Sequence, residues 1–531
     1  MEFGLQDLPF ELKLKITDLL SPGDVASLCA TSQTNYTQLT PCLYSRIAVE
    51  HNADGMRRGI KLLQTLASPR TNLALLHPAT LVRELRLWLS ITTLGYHLAS
   101  DWMAQRLKAM RNLETLISAA LLRSAEYGLG GVSLLRVLHV SSNVPVMDGL
   151  APILCMRPQF GRLEEVCVAA RGLRRSERAG FRFLEIPGLK SLLHEETANF
   201  GTSDTPLIAS FVNSLELIPS NSPALTVLHL DLTWVTDDTF PCIESAINSL
   251  RLPNLQQIQI RVFLIAHSEP SEPDFHPLLE AHPRLRSVSV PIRNFLNRPL
   301  RGDALPVLEV FSGHVEDVLQ VCDGVRPLRD LTVSLFDRDS EPKKTQLVLG
   351  ALIGLPSLQR LALVNRPLYY RAEKADGDED EVGLDSDAVR SIAEACPNLT
   401  HVELHLTSIR DCTALEKVLG LKSLKIHLRM SVPSEMDMDA ADLLDDISGA
   451  VNQHLVPRLP QLLDIEVAVV GVRKSSMLEP EVRIVYDALH VFDVVRRDGE
   501  REAVESEVQV KLPLFKVVGF GGHFYGVRKR N

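Results

Sequence analysis

One short pattern of apolar and polar positions recurs along most of the chain. An apolar residue is followed by two variable residues, a second apolar residue, one variable residue and a third apolar residue, as in Leu225-x2-Leu228-x-Leu230. Apolar and polar positions that alternate in this way are typical of a β-strand with one buried face. The pattern starts at Val82, Leu113, Leu135, Leu163, Leu189, Leu225, Leu255, Leu285, Leu308, Leu328, Leu358, Leu399, Leu421 and Leu462.

Proline and helical segments separate these predicted strands. Pro223, Pro253 and Pro356 each stand just ahead of a strand, where proline ends a helix and costs the sheet no hydrogen bond. Helices are predicted in the gaps, at 101–110, 240–250, 386–395 and 415–419. A strand and a helix that recur together form a unit that is stable only when stacked. The pattern therefore predicts an irregular α/β solenoid, with parallel strands on a concave face and helices on a convex face.

The first 50 residues predict a separate helical module. Pro9 fits the first turn of a helix whose residues Leu12 and Ile16 lie on one face. A second helix, which carries Val25 and Leu28, is predicted to start after Ser21. A third helix is predicted over 32–39 and should end before Pro41. So short a chain buries too small a fraction of its surface to form a core alone, and we expect a partner to cover its apolar flank.

The last segment of the chain has a different pattern. Alternating strands are predicted at 482–485 and 508–512, with a charged turn at 496–500 between them and a basic tail after them. We interpret this segment as a terminal β cap that covers the open end of the array. The predicted divisions are thus a helical module at 1–50, a solenoid at 51–478, and a cap with its tail at 479–531.

Charge and cysteine content narrow the class of protein. The formal net charge is −10, and the runs 373–387 and 435–446 together carry −13, so the remaining chain is close to neutral. This distribution predicts no nucleic-acid surface. The 8 cysteines include no Cys-x-x-Cys pair. With no secretory leader and no apolar run of roughly 18 residues, we expect reduced thiols, no membrane association and a cytoplasmic or nuclear location.

The N-terminal residues also match a known motif. The string Leu8-Pro9-x-Glu11-Leu12-x3-Ile16-x2-Leu19-Leu20-x3-Asp24-Val25-x2-Leu28-x3-Ser32 resembles the F-box. Together with the repeats behind it, the chain resembles fungal F-box proteins with degenerate leucine-rich repeats. This resemblance implies that the helical module binds a Skp-type adaptor of an SCF-type cullin–RING ubiquitin ligase. The chain would then be the subunit that recognises substrates, without catalytic residues or a cofactor of its own. The residues it assigns to adaptor contact or to the module core are Leu8, Pro9, Leu12, Ile16, Leu20, Val25 and Leu28.

Two alternatives to this interpretation remain open. The helices can be an ordinary cap on a solenoid, and the solenoid can be a scaffold that recruits partners without ubiquitin transfer. In either case the variable strand positions form the surface on which we expect a protein partner to bind. The same residue types also occur on strand faces that are simply exposed to solvent. Trp88 is the strongest single candidate, because tryptophan is enriched at binding hot spots. The candidate substrate-binding residues are Arg86, Trp88, His229, Asp231, Arg261, Arg360, His401, Glu403 and His405.

The metal-binding and catalytic motifs in the sequence are incomplete. His401-x-Glu403-x-His405 offers metal-ligand side chains on one strand, but alternate strand residues are about 6–7 Å apart and nothing fixes a fourth ligand. The acidic run that contains Asp376 lacks the glycine and glutamate of a calcium-binding loop. Neither a phosphate-binding glycine loop nor a nucleophile elbow is present. We therefore predict no metal site and no catalysis by the chain's own side chains.

Overall fold

A computed structural model of the chain divides into two compact units. Unit 1 comprises Met1–Ser271 and Phe275–Leu285, and unit 2 comprises Glu272–Asp274 and Arg286–Asn531. The structure describes residues 8–17, 19–49, 53–69, 77–89, 102–128, 131–142, 150–156, 159–170, 180–196, 205–236, 238–265, 273–292, 295–296, 298–322, 326–335, 342–353, 355–365, 384–406, 408–431, 447–474, 482–497 and 500–510.

Helices and strands alternate through both units. The α-helices are α1 (Phe10–Thr17), α2 (Pro22–Thr31), α3 (Gln33–Ser45), α4 (Ala53–Ala67), α5 (Trp102–Glu126), α6 (Leu150–Leu154), α7 (Thr205–Asn221), α8 (Phe240–Ser249), α9 (His276–Ala281), α10 (Val315–Val321), α11 (Pro342–Leu352) and α12 (Ser386–Ala395). The strands are β1 (Arg46–Val49), β2 (Glu84–Leu89), β3 (Val137–Ser142), β4 (Glu165–Ala170), β5 (Ser191–Glu196), β6 (Val227–Thr236), β7 (Gln257–Ile265), β8 (Ser287–Ser289), β9 (Val310–His314), β10 (Asp330–Leu335), β11 (Arg360–Asn365), β12 (His401–Leu406), β13 (Ser423–Ser431), β14 (Asp464–Lys474), β15 (Val482–Arg497) and β16 (Glu500–Val510).

Unit 1 contains a parallel sheet in which each strand pairs with the next one along the chain, from β1 to β7. In β2 the residues Leu85 and Leu87 are buried, whereas Arg86 and Trp88 between and beyond them are exposed. This alternation of period two matches the sequence pattern, because successive side chains of a strand point to opposite faces. The predicted strand–helix repeat is confirmed for this unit.

Unit 2 repeats the arrangement and then ends in antiparallel strands. β8 to β14 pair in parallel and in chain order. The side chains of β12 alternate strictly between half-buried and buried. β15 then pairs antiparallel with β14, and β16 with β15. The predicted terminal strands are therefore present and longer than expected, whereas their role as a cap stays a prediction. The tail beyond Val510 lies outside the described residues.

A proline marks most of the strand entrances, as the sequence predicts. Pro253, Pro356 and Pro397 are exposed and lie just ahead of their strands. The entrance to β10 differs, because Arg326 lies ahead of Pro327 and is buried. Its guanidinium donates to the carbonyl oxygens of Ala304 at 3.1 Å, Val321 at 2.9 Å and Arg301 at 3.0 Å. A charged side chain thus joins the turn before β9 to the end of α10.

The N-terminal helices form a small core of their own. Val25, Cys29 and Leu39 are buried together, and the partly buried side chains packed against them are those of Leu20, Leu28, Tyr36 and Leu43. The prediction that the third helix ends before Pro41 is wrong, because α3 continues through Pro41 to Ser45. Proline inside a helix costs about 3 kcal/mol, and the packing of Leu39 and Leu43 on the core offsets this cost.

Two further elements differ from the prediction. Leu113, assigned to a strand, lies in α5, where Leu113, Ile117 and Leu121 are buried at a spacing of four residues. An apolar pair three residues apart fits a helix as well as the start of the strand motif. The helix predicted at 415–419 is a 3₁₀ helix at Ile409–Lys417 instead. None of the helices within the described residues is long and apolar enough to cross a lipid bilayer.

One buried histidine in unit 1 has no hydrogen-bonding partner. His194 lies on β5 between Val168 of β4 and Leu230 of β6, and its ring contacts Phe181 with the centroids 5.9 Å apart. Neither ring nitrogen has a hydrogen bond. Burial lowers the pKa of His194 to about 4, so the side chain is neutral at physiological pH.

We expect His194→Leu to stabilise unit 1 by about 1–3 kcal/mol, because it replaces an unsatisfied polar ring with an apolar side chain. Since the folded-state pKa lies below the ordinary 6.5, stability present above pH 6.5 is lost as the pH falls towards about 4. The variant should lack this loss, which urea unfolding at several pH values would measure.

His282 provides a contrasting variant in the same unit. It is equally buried, but its Nε2 accepts from the Leu252 backbone N–H at 3.0 Å, and its Nδ1 lies 2.6 Å from the Leu278 carbonyl oxygen. His282→Leu should therefore destabilise the protein, because buried backbone groups lose their partners. A stabilising effect of His282→Leu, or a destabilising effect of His194→Leu, would contradict this explanation.

Candidate functional site

The first candidate surface is the outer flank of α1. Leu12 is 45% exposed, and Leu19, just after the helix, is 87% exposed. Among the described side chains of α1, those of Lys13, at 3% exposure, and Thr17 are buried. The Lys13 ammonium group donates to Gln38 Oε1 of α3 at 2.8 Å. In α1, Leu12 is thus exposed, whereas Lys13 is buried and held against α3.

The structure separates the remaining predicted adaptor positions by burial. Val25 is buried in the core of the module, and Leu20 and Leu28 pack against that core. Pro9 is exposed beside α1, so it belongs to the outer flank with Leu12. Leu8 and Ile16 are half-buried, as Leu20 and Leu28 are, but they are not part of that core.

The second candidate surface is the face of each sheet that carries the variable strand positions, here called the open face. In unit 1, Trp88 is 38% exposed on this face. Beside it, Arg86 forms an ion pair with Glu84 at 3.7 Å, and Arg46 reaches the same carboxylate at 3.4 Å. Glu84 therefore pairs with two arginines, and these three side chains together have a net positive charge.

The other predicted residues of unit 1 lie on β6 and β7. His229 Nε2 is 3.0 Å from the Gln257 side-chain nitrogen, and Arg261 forms an ion pair with Asp231 at 3.5 Å. Burial lowers the pKa of His229, and the neighbouring Arg261 lowers it further. The imidazole of His229 is therefore neutral near pH 7. It lies on the same face of the sheet as the Arg261–Asp231 ion pair.

In unit 2 the predicted residues lie on the adjacent strands β11 and β12, between β10 and β13. Arg360 lies 3.9 Å from Asp330. Burial raises the pKa of Asp330, and Arg360 and His401 oppose this rise. The predicted Glu403 lies on the neighbouring strand, in register with Lys425 of β13.

Glu403 is the centre of a small charged cluster in unit 2. Its carboxylate lies 2.6 Å from His427 Nε2 and 3.4 Å from Lys425 Nζ. The hydrogen bond with His427 is the main reason that the pKa of Glu403 is lowered, although burial opposes it. The rings of His405 and His427 stack with centroids 6.4 Å apart. No group of three or more His, Cys, Asp or Glu side chains in the described part of the chain is placed to hold a metal ion.

Sequence reasoning missed two features of these surfaces. It did not assign Leu19 to the predicted contact set, although the residue stands in the motif and is the most exposed large apolar side chain in the described part of the chain. It also missed the pair of His139 Nε2 and Glu165 Oε1, which are 2.5 Å apart on β3 and β4. The strand alternation places both on the open face, but only the structure shows that the two side chains meet diagonally across the register.

Comparisons with known proteins do not assign a family. No protein-family model and no curated protein sequence matches the chain. Among solved structures, an internalin from Listeria monocytogenes aligns with 71% of this chain and 89% of its own, with 12% sequence identity and a TM-score of 0.29. A TM-score of this size is too low to establish a common fold. The strand–helix repeats of the two units, and the surfaces they carry, therefore rest on the chain's own structure.

Proposed function

We propose that the chain is a substrate receptor of an SCF-type cullin–RING ubiquitin ligase, with the N-terminal helices bound to a Skp-type adaptor. The observation that carries this proposal is the outward apolar flank of α1, formed by Pro9, Leu12 and Leu19. Apolar side chains exposed together on a small helical module are typical of an interface. Because residues 8–32 resemble the F-box, we infer that the partner is a Skp-type adaptor.

The open faces of the sheets would hold the protein substrate. They carry charged and aromatic side chains fixed on strands, and rigid elements present a binding surface more precisely than loops do. The contribution of the chain would be proximity, because a bound substrate has a high effective concentration near the ubiquitin-carrying enzyme. In this proposal the chain supplies no catalytic group and binds no cofactor.

Co-purification with a purified Skp-type adaptor tests the proposal. Leu12→Asp and Leu19→Asp should each weaken capture about tenfold or more, because each buries a charge in the proposed interface. Neither residue belongs to the module core, so the thermal unfolding midpoint should stay close to that of the wild type. Leu419→Asp is the matched control, because Leu419 is 70% exposed and lies in unit 2.

The result also separates the receptor from a scaffold that recruits partners without ubiquitin transfer. A wild-type chain that fails to capture the adaptor, or flank variants that capture it as well as Leu419→Asp does, would reject the receptor. In that case the repeats would remain a partner-binding surface, and the helices would be an ordinary cap.

A further inference from the structure

The helical segments of unit 1 form a pocket at the C-terminal end of α7. Cys155 of this pocket directly follows α6, and Glu185 ends a 3₁₀ helix at Gly180–Glu185. Leu217 and Ser220 are exposed, and the other lining residues are half-buried, so the pocket is open to solvent. Its volume is about 440 Å³, and its lining residues are Cys155, Glu185, Pro187, Leu217, Ser220 and Asn221.

The Glu185 carboxylate is held in place but is not neutralised. Its Oε1 accepts a hydrogen bond from the hydroxyl of the buried Ser214 at 3.0 Å. The Asn221 side-chain amide donates to the Glu185 carbonyl oxygen at 2.9 Å. Within the part of the chain that the structure describes, no basic side chain forms an ion pair with Glu185. A hydroxyl donor is neutral, so the negative charge of Glu185 remains available to a cation.

The end of α7 adds to the negative potential of the pocket. A helix of 17 residues carries a partial negative charge at its C-terminus, where lysine, arginine or histidine is favourable. The last turn of α7, at 218–221, contains none of these residues. The carbonyl oxygens of Leu217, Ile218 and Asn221 already accept hydrogen bonds. The helix therefore contributes its dipole to the pocket, whereas Glu185 supplies the direct acceptor.

The Cys155 thiol responds to the carboxylate across the pocket. The pKa of Cys155 is raised, mainly by burial and to a smaller extent by Glu185, and Arg182 opposes the rise. Arg182 is exposed and lies three residues ahead of Glu185 in the same 3₁₀ helix. It is the basic side chain that competes for the pocket, although it forms no ion pair with Glu185.

The rest of the lining offers apolar contact. Leu217 and Pro187 both line the pocket, and Met156, which follows Cys155 in the chain, is exposed. A carboxylate beside apolar side chains suits a ligand with a cationic end and an aliphatic stem. Lysine has this form, because its ammonium group ends a flexible stem of four carbons that packs along apolar surface.

We propose that this pocket binds the side chain of a lysine that a partner polypeptide presents. The ammonium group would pair with the Glu185 carboxylate at the end of α7, and the stem would lie along Leu217 and Pro187. The proposal goes beyond the ligase assignment and does not depend on it, because the pocket lies outside α1 to α3 and outside the open faces of the sheets.

The exposure of the pocket favours a lysine of a polypeptide over a free amine. Small-molecule sites bury about 70–90% of their ligand, whereas Leu217 and Ser220 are exposed in this lining. A polypeptide that carries the lysine would cover the mouth of the pocket and contact Leu217 and Met156. The covered ion pair would then be less screened by water than an ordinary surface pair.

Short peptides test the proposal on the full-length chain. Saturation-transfer NMR would measure binding of acetyl-Gly-Lys-Gly-amide, which should be saturable and should weaken at high salt. Norleucine in place of lysine keeps the stem without the charge, and diaminopropionate keeps the charge on a shorter stem. Each replacement should weaken binding about tenfold. Pentylamine, which lacks the polypeptide backbone, should also bind more weakly than the lysine peptide.

A substitution of the carboxylate locates the binding. Glu185→Gln should weaken binding of the lysine peptide about tenfold, because it removes the charge but keeps an oxygen for the Ser214 hydroxyl. Glu216→Gln is the matched control, since Glu216 is an exposed carboxylate next to Leu217 on α7 and does not line the pocket. Thermal unfolding of both variants separates a loss of binding from a loss of fold.

A lysine placed in the pocket of the chain itself gives a second readout. Ser220→Lys should raise the midpoint of thermal unfolding, because its ammonium group would reach Glu185 and the negative end of α7. It should also abolish binding of the lysine peptide. Ser220→Gln is the control of similar length without charge, and it should leave the midpoint close to that of the wild type. The rise should disappear when Ser220→Lys is combined with Glu185→Gln.

Several results would overturn the proposal. They are equal binding of the lysine and norleucine peptides, equal binding by Glu185→Gln and Glu216→Gln, and binding of pentylamine as tight as that of the peptide. Peptide binding that appears only after Arg182→Ala would also overturn it, since the chain's own arginine would then be the occupant. Adaptor capture on the same preparations keeps the two proposals separate: lost peptide binding with normal capture rejects only the lysine pocket, and lost capture with normal peptide binding rejects only the receptor.

Discussion

Replacement of Arg326 by methionine is expected to destabilise unit 2 by about 3–5 kcal/mol, because carbonyl groups in a buried turn lose their donors. The Arg326 guanidinium is the donor to three of them, those of Arg301, Ala304 and Val321. Methionine is of similar length and fills much of the space, so the loss reports hydrogen bonding more than packing. Arg329→Met is the matched control, since Arg329 is exposed three residues away.

The choice of probe matters for this measurement. The tryptophans at 88, 102 and 234 all lie in unit 1, so tryptophan fluorescence does not follow unit 2. Hydrogen exchange of the β9 and β10 amides does follow it, and it should become faster in Arg326→Met by the factor that corresponds to the lost stability. Equal exchange in Arg326→Met and Arg329→Met would show that the turn carbonyls find other donors.

The period-two pattern made the strands of this protein predictable. In β12, Val402 and Leu404 are buried, whereas His401 and Glu403, which alternate with them, are only half-buried. The proline at the strand entrance also has a local cause, since its missing N–H and fixed backbone angle suit that one position. Features with a local physical cause can thus be found in one sequence without an alignment.

Features that depend on partners far along the chain could not be predicted in this way. Arg326 is buried just ahead of the exposed entrance proline Pro327, and nothing near it in the sequence indicates that it bonds carbonyl groups 22 and 25 residues earlier. Leu113 shows a different limit. Its apolar neighbours fit two secondary structures, and only the helical packing of Ile117 and Leu121 decides between them.

The candidate site shows the same division. The sequence could name Trp88 and Glu403 as open-face residues, because alternation alone sets the face. It could not show that Glu403 contacts His427, which lies 24 residues later, or that Lys13 turns inward while Leu12 turns outward. Strand register and helix rotation are set by packing, and the sequence constrains them only weakly.

A second large effect is expected from a buried carboxyl group in unit 2. Asp317 lies in the first turn of α10 and is fully buried. Its Oδ1 accepts a hydrogen bond from the Leu296 backbone N–H at 2.8 Å, whereas its Oδ2 has no hydrogen-bonding partner. The pKa of Asp317 is raised to about 7, mainly by burial and to a smaller extent by Glu316, against the opposing effects of the Leu296 N–H and His314.

The direction of the pH dependence follows from this raised pKa. The unfolded chain releases the Asp317 proton near its ordinary pKa of 3.8, whereas the folded chain keeps it until about pH 7. Folding therefore takes up a proton between these values, and the stability of unit 2 should fall as the pH rises from about 4 to about 7. A difference of roughly three pKa units corresponds to about 4 kcal/mol at most.

Asp317→Asn should remove this dependence, because the amide keeps an oxygen for the Leu296 N–H but cannot ionise. Hydrogen exchange of the α10 and β9 amides at pH 5, 6, 7 and 8, corrected for intrinsic exchange, would show the wild type losing protection relative to the variant as the pH rises. Asp303→Asn is the control, since Asp303 is exposed and paired only loosely with Arg301 at 3.8 Å. If the two proteins keep the same slope, Asp317 is ionised in the folded state, and the unpaired Oδ2 must then be solvated by water that enters unit 2.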